Sequence, residues 1–159
     1  MNIRLANFED AADAAALVAL LGAYARDPAG GGTAIAAELL ARLPAELARR
    51  PHAFSVLAFA GTEPVGLVNC FEGFSTFACR PLVNVHDVVV LASHRGQRIA
   101  TLMLDEVEQQ ARRRGACKLT LEVLSGNAPA MRLYAQQGFA GYQLDPGFGQ
   151  AVFLQKPLA

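Results

Sequence analysis

A chain of 159 residues, 53% hydrophobic and 18% charged, with mean hydropathy +0.26, is too apolar to stay disordered and long enough to bury a core without metal or disulfide, so one domain over 1–159 is expected. Lys+Arg 14 against Asp+Glu 14 leaves zero net charge, which excludes general coating of nucleic acid and gives little self-repulsion. No apolar run approaches the ~18–20 residues of a membrane span, no signal-peptide core follows Met1-Asn2-Ile3-Arg4-Leu5, and Cys70, Cys79 and Cys117 lack metal-ligand spacing. The expectation is a cytoplasmic protein with three reduced, mainly structural thiols, no metal, and no membrane or nucleic-acid partner.

Residues 1–5 read as a short strand. Over 10–25, Ala14, Leu17, Val18, Leu21 and Tyr24 recur at three- and four-residue steps, the stripe of a helix. Pro28 and Gly30-Gly31-Gly32 end it. Thr33 is the expected N-cap of a second helical region over 34–50, which Pro44 should split in two. Strands follow at 53–60 and 65–77, joined by Gly61-Thr62-Glu63-Pro64. The Val-rich 82–91 reads as a strand buried on both faces. Residues 98–114 form a helix with Ile99, Leu102, Met103, Val107 and Ala111 inward, closed by Gly115. A strand at 118–124, a helix at 127–137 closed by Gly138, and strands at 139–143 and 151–155 complete the order. An antiparallel meander followed by strand–helix–strand predicts a mixed α/β (α+β) fold, a mixed sheet flanked by helices with one parallel strand pair.

The chemistry concentrates where the Val-rich strand turns into a helix, Asn84-Val85-His86-Asp87-Val88-Val89-Val90-Leu91-Ala92-Ser93-His94-Arg95-Gly96-Gln97-Arg98-Ile99-Ala100. The first amides of a helix have no intrahelical acceptor, and its dipole disfavours cations there. His94, Arg95 and Arg98 nonetheless cluster at that end, whereas Arg112-Arg113-Arg114 sit where the dipole welcomes them. Either an anion docks on the first cluster or the cluster is a solvated basic surface.

The segment Arg95-Gly96-Gln97-Arg98-Ile99-Ala100 resembles the acetyl-CoA signature of GCN5-related N-acetyltransferases, Q/R-x-x-G-x-G/A. A second block, Asn127, Ala130, Leu133-Tyr134 and Gly138-Phe139, is similar to that family's N-x-x-A-x-x-L-Y-x-x-x-G-F stretch. The signature's first glycine is Arg98 here, so the expectation is that Arg98 adopts a negative φ and turns its side chain away from, or over, the phosphates. The resemblance implies an acyltransferase with acetyl-CoA as co-substrate. It implies that Val88, Val89 and Val90 lend backbone groups to pantetheine and the thioester carbonyl. It also implies that the loop of Arg95, Gly96, Gln97, Arg98, Ile99, Ala100 and Thr101 cradles the pyrophosphate.

By the same resemblance Tyr134 is the candidate donor to the departing thiolate, unless it only packs. Asn127 is either a cofactor contact or the N-cap of its helix. His86 stands where several relatives acting on small amines have Glu, and is the candidate base, against a histidine hydrogen-bonded inside a strand. Asp87 should face the opposite side of an unbulged strand and be structural. Glu72 is either a cation site or a solvated residue. The implied reaction is acetyl transfer to a primary amine of a small or medium acceptor. Action on a protein N-terminus or lysine, a non-catalytic acyl-CoA sensor, and an unrelated phosphate-binding domain stand as alternatives. Exchange dimers are common in that family, so a homodimer stays open.

Overall fold

The structure, a computed structural model, describes residues 1–142, 145, 147, 149 and 151–158, with no side-chain account of Ala29. It falls into two compact units, Met1–Leu121 and Glu122–Ala159. The first unit carries β1 (Asn2–Leu5), α1 (Ala11–Arg26), α2 (Ala37–Ala48), β2 (Ala53–Ala60), β3 (Glu63–Ser75), β4 (Arg80–Val90), α3 (Ile99–Arg113) and β5 (Leu119–Leu121). The strands form one sheet in the order β1-β2-β3-β4-β5, antiparallel through β4 and parallel between β4 and β5. The expected mixed sheet with one parallel pair is therefore present. Among the described residues no helix is long and apolar enough to cross a membrane.

Register decides which side chains meet. Ala53, Phe71 and Asn84 stand side by side across β2, β3 and β4, as do Ser55, Asn69 and Asp87, then Leu57, Leu67 and Val89. This face lies under α1 and α2: Leu57, Leu67 and Val89 share one buried cluster with Ala16, Leu17 and Leu20 of α1 and Leu47 of α2. The alternate rows, Phe54–Cys70–Val85, Val56–Val68–Val88 and Ala58–Gly66–Val90, face α3. A Cβ on Gly66 would sit 2.9 Å from Met103 Cε and 3.2 Å from Ala58 Cβ, so a larger residue there would displace the Met103 side chain of α3. Ile99, Met103, Leu104 and Val107 fill that side of the core.

Asp10 caps α1, its carboxylate accepting from the amides of Ala12 and Asp13. Asp13, 2% exposed, receives Arg4 through two bonds of 2.6 and 2.5 Å and the Asn7 amide at 2.9 Å. The hydrogen bond from Arg4 holds its carboxyl below the usual carboxylate range despite burial.

Several sequence expectations are corrected. Pro44 does not split its helix: α2 runs continuously through it, losing one backbone bond while Leu43 and Leu47 keep their packing on the α1 core. Thr33 is not its cap; Ala36 is, with no side-chain bond. β4 is not buried on both faces. Val83, Val85 and Val89 are buried, but Arg80 and His86 are exposed and the rest are intermediate. The strand after α3 is confined to β5.

The second unit carries the α-helix α4 (Ala128–Gln136), followed by Gly138 at φ +83°. No strand forms over described residues 139–142 or at 151–155, where Val152, Phe153 and Leu154 are exposed; Gln143 lies outside the described residues. An alternating apolar pattern makes a strand only where a neighbouring edge accepts its hydrogen bonds, and among the described residues none pairs there.

Candidate active site

β4 carries one extra residue. Cys70 pairs with Val85 and Asn69 with Asp87, so two steps along β4 match one along β3 and His86 is the inserted residue. An unbulged strand would have put His86 opposite Asn69. The bulge puts Asp87 there instead, and brings the side chains of His86 and Asp87 to the same face. The His86 ring meets Phe71 edge-on, centroids 5.3 Å apart, and the Asp87 carboxylate accepts from Asn69 Nδ2 at 3.0 Å. The expectation that these neighbours face opposite sides is corrected, because it assumed regular pleating.

Ser55 donates to Asn69 Oδ1 at 2.6 Å, so a polar chain crosses three strands to Asp87. Tyr24, in the last turn of α1, packs against the same apolar cluster. Burial first, and then the charges of Asp87 and Asp27, raise its hydroxyl above the ordinary tyrosine value. The sequence reading used Tyr24 only as a helix residue and missed Ser55, Asn69 and Asp27. The available signal was two polar residues, Ser55 and Asn69, set inside otherwise apolar strands.

β5 pairs only with Val83, Asn84 and Val85, so β4 runs on through Val88, Val89 and Val90 with no strand on that edge among the described residues. Beyond it, a 3-10 turn (Ala92–His94) leads into the basic loop. Gly96 has φ +78° and Arg98 φ +61°. The expected negative φ at Arg98 is thus corrected: the chain keeps the left-handed turn that glycine would favour, with an arginine in it. Arg98 is the N-cap of α3 and makes no side-chain cap bond. Among the described residues, no protein acceptor takes the amides of Gly96, Gln97, Arg98, Ile99, Ala100 or Thr101. Successive amides around such a turn form an anion-binding concavity.

The two loop arginines differ. Arg95 donates to Asp27 at 2.8 Å and, through Nε, to the Val90 carbonyl at 3.2 Å, tying the chain after α1 to the end of β4. Arg98 is exposed, and among the described residues it forms no ion pair. His94 Nδ1 lies 2.9 Å from Ser93 Oγ. Glu72 is neither an open cation site nor merely solvated: it pairs with Arg114 at 3.3 Å, and His52 Nδ1 lies 3.6 Å away. Arg114 in turn covers the Phe54 ring.

In the second unit, Asn127 caps α4, its Oδ1 accepting from the Ala130 amide at 3.3 Å. Tyr134 is half-buried on α4, and its ring meets Phe139 edge-on at 5.8 Å. Among the described residues no three His, Cys, Asp or Glu side chains gather as metal ligands. Burial pushes the Cys70 thiol well above its ordinary value, which keeps it protonated.

A five-stranded sheet with one parallel pair, whose bulged strand β4 leads through a left-handed turn into a helix N-terminus, defines a mixed α/β protein. The sequence profile of the Acetyltransferase (GNAT) family matches residues 14–139, and the chain belongs to that family. It is 36% identical over 82 residues to the streptothricin acetyltransferase of Streptomyces lavendulae, a match spanning 52% of this chain and 43% of the relative, less than half the relative's length. The fold is similar to the crystal structure of a probable acetyltransferase, with TM-score 0.83, 22% identity and coverage of 99% of this chain and 100% of the other. It is also similar to an aminoglycoside acetyltransferase from an uncultured soil metagenomic sample in complex with sisomicin, with TM-score 0.79, 14% identity and coverage of 99% and 96%.

Proposed function

We propose that the protein is an acetyl-CoA-dependent N-acetyltransferase that transfers the acetyl group directly to a primary amine of a small or medium-sized, cationic acceptor. The carrying observation is the sequence of features along one stretch of chain. The bulge presents His86 and Asp87 on one face, and the strand then opens into a turn whose amides, Gly96 to Thr101, have no protein acceptor among the described residues. That turn fits a diphosphate, which takes several N–H donors at once and prefers a helix N-terminus. Acetyl-CoA supplies the acetyl group as an activated thioester.

The protein's part is binding and proton handling. The free edge of Val88, Val89 and Val90 offers backbone groups to an extended chain, with the Val90 carbonyl already engaged by Arg95. Arg98 adds charge to the phosphates. An amine attacks only when neutral, and His86 takes its proton directly or through water, a role its exposure on β4 supports. Tyr134 returns a proton to the departing sulfur, and Asn127 holds the start of its helix for cofactor contact. The family match runs through both compact units, which supports one N-acetyltransferase domain over 1–159.

The Asp87 carboxylate near Tyr24 favours a cationic acceptor, whereas the Asp27 charge is already met by Arg95. Streptothricin and aminoglycosides, named in the similar proteins, are the natural first acceptors to test. Acetyl-CoA should raise the melting temperature by mass action, and adenosine without phosphates should do so much less. Absence of stabilisation at millimolar acetyl-CoA overturns the donor assignment, and acetylation of peptides in preference to every small amine overturns the acceptor class.

A further inference from the structure

We propose that Asn69, itself fixed by Ser55, is a positioning residue that aims the Asp87 carboxylate at the ammonium group of the acceptor; this rests on the acetyltransferase reading above. Three observations converge. The first is register: Ser55, Asn69 and Asp87 stand directly opposite one another on β2, β3 and β4, and Asp87 occupies its place only because His86 is inserted before it.

The second is polarity. A carboxylate only accepts, so Asn69 must present Nδ2 to Asp87 and Oδ1 to Ser55, whose hydroxyl must then donate. Turning the amide over would face its carbonyl oxygen to the carboxylate and break the bond to Asp87, which accepts only. The third is environment. Ser55 is 1% exposed and Asn69 4% exposed, flanked along their strands by Phe54, Val56, Val68 and Cys70, all buried. A sheet built only for stability would put apolar side chains at both places, since a buried polar pair adds little net stability. This chain ends on a carboxylate that is itself only partly buried, unlike Ser55 and Asn69.

The groups that feel the Asp87 charge are Tyr24 on α1 and Cys70 on β3. His86 lies beside Asp87 on its own strand. Among the described residues no cation forms an ion pair with it. A cationic acceptor would supply the missing charge. Asn69 would then act by holding one carboxylate oxygen and leaving the other directed at the ligand.

The test is a double-mutant cycle with wild type, Asn69→Leu, Asp87→Asn and the double variant, assayed with acetyl-CoA and the best cationic amine. Asn69→Leu should lower kcat/KM about tenfold or more, mainly through the acceptor KM, with the acetyl-CoA KM held within about twofold. On the Asp87→Asn background it should cause no further loss. An equal loss on both backgrounds, or a matching rise in the acetyl-CoA KM, overturns the proposal and leaves Asn69 a packing residue. If Asn69→Leu does not fold, Ser55→Ala carries the same cycle, with a loss of a few-fold expected on the wild-type background alone. Wild-type transfer to an amine without any dependence on Asn69 refutes the positioning role only. A wild type that transfers to no amine refutes the acetyltransferase reading and the proposal with it.

Discussion

Arg98 is a non-glycine residue held at φ +61° and ψ +15° at the N-terminus of α3. An L-residue in the left-handed region pays roughly 1–2 kcal/mol through its Cβ, and a cation at a helix N-terminus adds about 0.3–1 kcal/mol of repulsion. Arg98→Ala removes only the second contribution. Arg98→Gly removes both, offset by about 0.4–1 kcal/mol of extra freedom in the unfolded chain. The glycine variant should therefore be more stable than the alanine variant by about 0.5–1 kcal/mol, or ~1–4 °C in melting temperature for a domain of this size. Both should bind acetyl-CoA about tenfold more weakly than wild type, with a flatter salt dependence, if the guanidinium meets a phosphate. Calorimetry of the empty proteins and titration with acetyl-CoA at several salt concentrations read the two effects separately. An alanine variant as stable as the glycine variant refutes the strain argument, and affinity unchanged across salt refutes the phosphate contact.

Tyr134→Phe keeps the ring that meets Phe139 and removes the hydroxyl; turnover should fall about 10²-fold with acetyl-CoA affinity nearly kept, as steady-state kinetics will show. Arg4→Met leaves the Asp13 carboxylate buried with the Asn7 amide as its remaining outside donor, and should destabilise by about 2–3 kcal/mol in urea, less than a fully buried pair because Arg4 is partly in water. Because Arg4 depresses the folded-state value of Asp13, its contribution is complete above the ordinary carboxylate range and is lost as pH falls through the lower folded value. The gap between wild type and Arg4→Met should thus narrow in acid, and a gap that stays constant with pH would contradict the assignment.

Much of the architecture was legible because periodicity reports burial. The β2–β3 meander faces the core as its spacing requires, but both helical stripes are rotated in part: on α3 Ile99, Met103, Val107 and Ala111 are buried while Leu102 is exposed and Leu104 buried instead, and on α1 Ala16, Leu17 and Leu20 form the buried set rather than Ala14 and Val18. Pro44 misled because local propensity was outweighed by packing of Leu43 and Leu47. The loop was located correctly, but the conformation of Arg98 was not, since the requirement for a left-handed turn overrode the preference of the residue occupying it. The relation between His86 and Asp87 was hidden for a different reason. A bulge is a property of two strands in register, and nothing in the one-dimensional order of β4 announces it. The ties of Arg95 to Asp27, remote in sequence, and to the Val90 carbonyl were not legible either, since only the fold brings these groups together.

The central claim is direct acetyl transfer to a cationic amine, and release of free CoA thiol tests it most directly. Purified protein, acetyl-CoA and a panel of streptothricin, aminoglycosides, simple diamines and lysine peptides should show thiol release that depends on both enzyme and amine, saturates with a small polycation and is matched by acetylated product. Acetyl-CoA that binds and stabilises the protein, with no amine-dependent thiol release across the panel, would contradict the account and make the protein an acyl-CoA sensor.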